Sequence, residues 1–247
     1  MRLVVNDNFL DVKSLNGWNW KEFPKIAPPI TDGHRRDENE ACAVIWHTSS
    51  GRLTTKVRPG SVPSTHENRL ALYQSRTTRE VSWHATVGTD GDIIQQADFE
   101  LWMCWHAGWA NSWTVGFELA QLDPSPLLAK DEMPEAQIQA AATLTDETVK
   151  AMGISKRVLV DPSTGKPWLG PVRQLLSKRA VKADGTPLHG LGQTWDGVIA
   201  HCHVAHKDAK GGRGPGDPGP LLFEELIRRG YARHPVFKDG IIGGTPI

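Results

Sequence analysis

The sequence has few cysteines and no excess of charge of either sign. Its three cysteines, Cys42, Cys104 and Cys202, are odd in number and form no CxxC pair. This argues against a disulfide framework and indicates synthesis in a reducing compartment. The 28 Lys and Arg residues balance the 28 Asp and Glu residues. We therefore expect neither nucleic acid nor an anionic membrane surface as a partner.

Long apolar runs are also missing. The first residues, MRLVVNDNFLDVKSLNGWNW, lack the apolar core of about 7–15 residues that a signal peptide needs. No stretch reaches the ~20 apolar residues of a membrane span. We expect no membrane insertion and synthesis in the cytoplasm, with any later export by another route.

Short β-favouring runs alternate with helical patterns along the chain. The periodicity and turn signals predict strands at 42–47, 113–119 and 197–201, a hairpin over 80–96 with its turn at Asp90-Gly91, and helices at 63–74, 134–152 and 221–230. Interleaved strands and helices predict an α/β fold with a central mixed β-sheet flanked by helices.

The same patterns suggest a domain organisation. We expect an N-terminal extension with little regular structure over residues 1–40, a main domain over 41–230 and a C-terminal tail over 231–247. Residues 155–195 are rich in Gly, Pro and Lys and are expected to form a long insertion with a variable loop.

Three residues form a candidate metal site. His47 and His201 each end a predicted strand, and Asp217 lies in the turn GDPGP. Two imidazoles and one carboxylate leave a fourth tetrahedral position open for water, as catalytic zinc requires. His203 competes with His201, because alternate residues of a strand share a face, and His206 is a further alternative.

Four segments resemble, in order, the type-2 N-acetylmuramoyl-L-alanine amidases. They are WHTSSG at 46–51, VSWHATVGTDGDII at 81–94, WHAGWANSWTVGFEL at 105–119, and IAHCHVA with GDPGP within 199–220. This family is related to phage lysozyme-type amidases and to peptidoglycan recognition proteins. The resemblance covers residues 42–222 and implies the same mixed sheet flanked by helices.

The resemblance implies a role for each matching residue. It makes His47, His201 and Asp217 the ligands of a Zn²⁺ cofactor. It makes Glu118 the general base, or the group that orients the metal-bound water.

Three departures from the family pattern affect the site. The segment KDAKGGRG lengthens the spacing between the histidine and Asp-Pro-Gly. The family's lysine two residues before the aspartate is replaced by Pro215, so Arg213 is the expected oxyanion cation, with Lys210 or Lys207 as alternatives. A tyrosine of some members is replaced by Trp83, whose role would be packing or stacking on a sugar.

His106 and Trp109 are expected to lie in the substrate cleft. For His106, a role behind the site or a structural role is the alternative. For Trp109 and its neighbours Trp105 and Trp113, the alternative is packing beneath the sheet edge.

The implied function is zinc-dependent hydrolysis of the amide bond between N-acetylmuramic acid and L-alanine, with peptidoglycan or muropeptides as the partner. A phage-type endolysin acting on the cell wall after release is the expected setting, and a cytoplasmic recycling amidase is the alternative. A non-catalytic peptidoglycan-binding module, a metalloenzyme for another amide and a structural phage component are further alternatives.

Overall fold

The computed structural model describes residues 1–22, 35–36, 41–48, 82–120, 133–172, 175–177, 193–204, 218–237, 240–243 and 245–247. Within these ranges the strands are β1 (Arg2–Val5), β2 (Asn8–Asp11), β3 (Gly17–Asn19), β4 (Ala43–Thr48), β5 (Ala85–Val87), β6 (Ile93–Gln95), β7 (Thr114–Leu119), β8 (Arg157–Val160), β9 (Leu175–Ser177), β10 (Gln193–Trp195), β11 (Gly197–Ala200) and β12 (Ala232–Pro235). The helices are α1 (Glu135–Ala151) and α2 (Pro220–Arg228), with short 3-10 helices at Gly108–Trp113 and His201–His203. Among the described helices, none has the length and apolar character needed to cross a membrane.

Six strands form the central sheet, in the order β11-β4-β7-β5-β6-β3. All neighbouring pairs are parallel except β5 and β6, which are antiparallel. With α1 and α2 packed against it, this mixed sheet confirms the predicted α/β class. Strands β4 and β7 form its longest pairing, from Ala43↔Thr114 to Thr48↔Leu119.

The two faces of the sheet bury different side chains. Alternate residues of a strand point to opposite faces. Trp46 and Phe117 belong to the hydrophobic cluster that also contains buried residues of both helices. The indole Nε1–H of Trp46 donates a hydrogen bond of 3.1 Å to Thr145 Oγ1 of α1. His47 and Glu118 alternate with these residues and therefore lie on the opposite face.

Most of the predicted elements are confirmed. The strands predicted at 42–47, 113–119 and 197–201 are β4, β7 and β11, and the predicted hairpin is β5 with β6. Gly91 has a φ of 88°, a left-handed conformation that favours glycine in such a turn. The helices predicted at 134–152 and 221–230 are α1 and α2, with Pro134 at the N-cap. The helix predicted at 63–74 lies outside the described residues.

The prediction of little regular structure over residues 1–40 is wrong for the first nineteen residues. Strands β1 and β2 pair with each other, and β3 joins the central sheet beside β6. A β-carbon on Gly17 would lie only 1.9 Å from the carbonyl oxygen of Ile93, so β3 can approach β6 because residue 17 is glycine. The Gln95 side chain also accepts a hydrogen bond from the Val4 N–H and donates one to the Val4 carbonyl. The contacts of β3 with β6 and of Val4 with Gln95 join residues far apart in sequence and leave no local signal, whereas β1 and β2 pair locally.

The segment predicted as an insertion contains regular structure. Of residues 155–195, the described part includes β8, β9 and β10. Strand β8 pairs in parallel with β12 of the predicted C-terminal tail, and β10 pairs in parallel with β9. The domain boundaries themselves stay a prediction.

Candidate functional site

The site is built at the carboxyl ends of β4, β7 and β11. Residues that end neighbouring parallel strands meet at the same edge of a sheet. His47 lies near the end of β4, and its register partner on β7 is Glu118. Strand β11 pairs with β4 as far as Ala200↔Trp46, so His201, the next residue, arrives beside His47. The centroids of the two imidazole rings are 4.0 Å apart.

Both imidazoles are buried. The His47 and His201 side chains are each 4% exposed. Two neighbouring imidazoles suit, by donor type and proximity, two of the four positions around a zinc ion. The predicted third ligand, Asp217, lies outside the described residues. Among the described residues alone, no group of three or more His, Cys, Asp or Glu side chains is placed to hold a metal ion.

His203 has a structural role. Its Nδ1 accepts a hydrogen bond of 3.0 Å from the Ala200 N–H, and its Nε2 donates one of 2.6 Å to the carbonyl of Trp168. Burial lowers the pKa of His203 to about 4, so the ring is neutral and both nitrogens are engaged. This engagement of both nitrogens counts against His203 as a ligand, and His206, the further candidate that the sequence left open, lies outside the described residues.

His106 lies directly behind His47. Its Nδ1 is 3.1 Å from His47 Nε2, and its Nε2 is 3.4 Å from Thr114 Oγ1. The Asn111 side-chain oxygen accepts the backbone N–H groups of His106 and Ala107, which fixes the turn that carries the ring. The motif WHAG predicted a role in the cleft or behind the site, and this contact with His47 corresponds to the second role.

The environment of His106 keeps its ring neutral. Burial is the largest cause that lowers its pKa well below the ordinary value, followed by the nearby His84, His201 and Arg36. A backbone acceptor of Thr114 opposes this shift. A neutral ring carries one N–H donor and one acceptor nitrogen, and this limits how His106 can pair with its neighbours.

A second buried histidine, His84, is hydrogen-bonded to strand β7. His84 Nδ1 accepts the Gly116 N–H at 3.0 Å, and its Nε2 lies 2.8 Å from the Trp102 carbonyl, to which it donates. Burial, and then the charge of Arg36, lowers the pKa of His84 to about 3. His84 is therefore a neutral structural residue beneath the site.

Arg36 lies in the segment expected to be an irregular extension, and the sequence around it predicts no role. Its buried guanidinium lies 3.0 Å from His84 Nε2. It donates hydrogen bonds to the backbone carbonyls of Phe99, Glu100 and Thr114. No motif around residue 36 signals this position, because every one of these acceptors lies more than sixty residues away along the chain.

Glu118 lies in a row of side chains across the sheet. Its register partners are His47 on β4 and Thr86 on β5. The Glu118 side chain is 8% exposed. The register sets Glu118 opposite His47 on the neighbouring strand, so both side chains leave the same face of the sheet.

The Trp83 side chain is 6% exposed, and its indole N–H donates a hydrogen bond of 2.6 Å to Thr86 Oγ1. Stacking on a sugar needs an open ring face, so burial favours packing, the other role that the sequence allowed.

Trp109 lies in the 3-10 helix Gly108–Trp113, but its side chain lies outside the described part. All of Arg213 also lies outside it. Trp105 is 38% exposed beside His106, whereas Trp113 is buried.

A protein-family model matches most of the chain. The family model described as N-acetylmuramoyl-L-alanine amidase matches residues 39–220. Among curated proteins, no match to the chain is found.

The chain is also similar to solved structures at low identity. The N-acetylmuramoyl-L-alanine amidase LysC from Clostridium intestinale is 12% identical over 88% of this chain and 97% of that chain, with a TM-score of 0.44. A mutant endolysin from Bacillus subtilis is 20% identical over 57% of this chain and 80% of that chain, with a TM-score of 0.40. The Drosophila peptidoglycan recognition protein SA is 16% identical over 56% of this chain and 73% of that chain, with a TM-score of 0.40.

Proposed function

This chain belongs to the N-acetylmuramoyl-L-alanine amidase family, and from that premise we propose that it is a zinc-dependent hydrolase. Its substrate is peptidoglycan, and the bond cleaved joins the lactyl group of N-acetylmuramic acid to L-alanine of the stem peptide. The observation that carries the proposal is the pairing of His47 with His201 at 4.0 Å between ring centroids, with Glu118 in register beside His47.

His47 and His201 are proposed to hold zinc together with Asp217. When bound, zinc would polarise the scissile carbonyl and make a water molecule more acidic. The choice of His201 is supported by the hydrogen bonds that occupy both ring nitrogens of His203.

Glu118 is proposed as the general base. It would take a proton from the attacking water and pass it to the nitrogen of the leaving L-alanine. Its position in register with His47 and its burial support this role. Arg213 is proposed to stabilise the oxyanion that forms at the carbonyl, and Trp109 to line the peptide groove.

The biological setting is proposed to be that of a phage-type endolysin, which acts on the cell wall after its release. An endolysin must act on the intact, cross-linked polymer, whereas a recycling amidase acts on soluble fragments. Clearing of intact sacculi in a gel is therefore expected, and activity confined to soluble anhydro-muropeptides would favour recycling instead.

The reaction itself is tested by mass spectrometry of digested peptidoglycan. The zinc-loaded protein is expected to release stem peptides with a free L-alanine amino group and to leave intact glycan strands. Removal of zinc by a chelator should stop the release, and added zinc should restore it. Binding to sacculi without any release, in the zinc-loaded protein, would contradict the proposal and indicate a peptidoglycan-binding module.

A further inference from the structure

We propose that His106 is a positioning residue, which holds His47 in the tautomer that has its proton on Nε2 and presents Nδ1 to the metal. This inference deepens the proposed function and rests on it for the identity of the metal. It assigns His106 to the inner wall of the site, behind a ligand, rather than to contact with substrate.

The chain of hydrogen bonds that orients His47 begins at Thr114. Its hydroxyl donates a hydrogen bond of 2.7 Å to the carbonyl oxygen of Ala110. The hydroxyl hydrogen is thereby used, so Thr114 Oγ1 can only accept from His106 Nε2, which lies 3.4 Å away. A His106 ring that carries a single proton therefore carries it on Nε2.

The second step passes from His106 to His47. With its proton on Nε2, the His106 ring carries its lone pair on Nδ1 and can only accept there. His47 Nε2 lies 3.1 Å from that nitrogen, so His47 must be the donor. A His47 ring that carries a single proton, on Nε2, has its lone pair on Nδ1, the nitrogen with which it would bind a metal.

The ring of His106 is held firmly enough to fix this direction. Asn111 accepts the backbone N–H groups of His106 and Ala107 at 3.0 Å and 2.6 Å. The ring lies against Gly116, where a β-carbon would come within 2.6 Å of three ring atoms. Hydrogen-bond partners of metal-ligating histidines typically set the tautomer, and losing one weakens metal binding by roughly 10–100-fold.

The tautomer is tested first in the metal-free wild-type protein, by nitrogen-15 NMR of labelled histidine side chains. The His47 signals are assigned by their loss in His47→Asn. We expect His47 to carry its proton on Nε2 and His106 to carry its proton on Nε2 as well. A His47 ring protonated on Nδ1 would overturn the inference without the use of any His106 variant.

Zinc affinity, measured by competition with a chelator, provides the second test. His106→Asn keeps an acceptor oxygen close to the position of Nδ1, whereas His106→Leu is of similar size and has no acceptor. We expect His106→Leu to bind zinc roughly 10–100-fold more weakly than wild type, and His106→Asn to recover most of that loss. Circular dichroism confirms that each variant is folded.

The outcomes separate this inference from the proposed function. If the wild type binds and uses zinc but His106→Leu binds it equally tightly, the positioning role of His106 is refuted and the amidase proposal is unaffected. If the wild type binds no zinc, the proposed function falls, and the assignment of Nδ1 as a zinc ligand falls with it.

Discussion

The α-carbon of Gly116 faces the imidazole of His106 so closely that a β-carbon there would lie 2.4 Å from Cγ and 2.5 Å from Nδ1 of the ring. Gly116 lies within β7, so the requirement for glycine is steric. The absence of a side chain on this strand makes the space in which the ring behind His47 is held.

Gly116→Ala is therefore expected to displace the His106 ring. Overpacking of a dense interior typically costs about 1–3 kcal/mol, and we expect a loss of this size in the free energy of unfolding by urea. Zinc affinity should fall in the same variant, because the moved ring no longer orients His47.

Gly153→Asn is the matched control for this substitution. Gly153 has a φ of 63°, and a β-carbon added to it would meet no atom within 4 Å among the described residues. Asn tolerates this backbone region better than most residues. The stability of Gly153→Asn should change by less than about 1 kcal/mol, and its zinc affinity should not change. If Gly116→Ala is as stable as wild type and binds zinc as tightly, the steric argument is refuted.

The sequence predicts those strands and helices whose signals lie within a single short segment. The short apolar, β-favouring runs CAVIWH and WTVGFEL predicted β4 and β7. The register of the two strands then places His47 and Glu118 on one face of the sheet. The hairpin and both described helices were predicted from turn and capping residues. These signals each lie within one element, so they can be read without the fold.

The contacts behind the site could not be predicted in this way. Arg36 reaches the carbonyls around His84 from a segment with no recognisable pattern, and Gly116 is needed only because His106 folds back against it. Strand β3 was missed because its partner β6 is distant in sequence. These three features depend on contacts that only the folded chain brings close, whereas β1 and β2 pair with each other across a short turn and were missed although their contacts are local.

Trp46 joins the strand that carries His47 to helix α1. The Trp46 indole is fully buried, and its N–H donates to Thr145 Oγ1 at 3.1 Å. Thr145→Val keeps the shape of the side chain but leaves that N–H without its acceptor. A buried donor left unsatisfied typically costs about 1–3 kcal/mol, and we expect this loss in urea unfolding.

Thr148→Val separates this effect from the general removal of a threonine in α1. Thr148 is also buried, and its hydroxyl donates to the carbonyl of Leu144 in the previous turn. Its replacement should leave no side-chain donor unsatisfied and should cost clearly less than Thr145→Val. Equal losses in the two variants would show that the Trp46 hydrogen bond contributes nothing measurable.

The buried histidines make stability depend on pH. The pKa of His84 is about 3 in the folded state, because of burial and then the charge of Arg36, against an ordinary value of 6.5. Between these values the unfolded chain binds a proton that the folded chain does not, so stability falls as the pH is lowered. For His84 alone, the expected loss between pH 7 and pH 5 is about 2 kcal/mol, and His203, with a pKa of about 4, acts in the same direction.

His84→Asn tests this contribution. The Asn side-chain oxygen can accept the Gly116 N–H in place of His84 Nδ1, but the side chain does not titrate. The variant is expected to be less stable at pH 7, since the donor to Trp102 is altered, yet its stability should fall less steeply with acid. Urea unfolding at pH 7, 6 and 5 measures both slopes, and parallel slopes for wild type and variant would contradict the assignment of a low pKa to His84.

Glu118 provides the sharpest test of the proposed chemistry, because its position separates catalysis from metal binding. It is the register partner of His47, so it lies beside the proposed ligand without belonging to the proposed ligand set. Glu118→Gln keeps the size of the side chain but cannot accept a proton, and loss of general base catalysis typically lowers turnover by about 10²–10⁴-fold. We expect the rate at which free L-alanine amino groups are released to fall by that factor, whereas zinc affinity should stay within a few-fold of wild type.

Glu135→Gln, at the exposed start of α1, controls for the loss of one carboxylate. A near-normal rate in Glu118→Gln would move the base to another residue, whereas a parallel loss of zinc would make Glu118 part of the metal site.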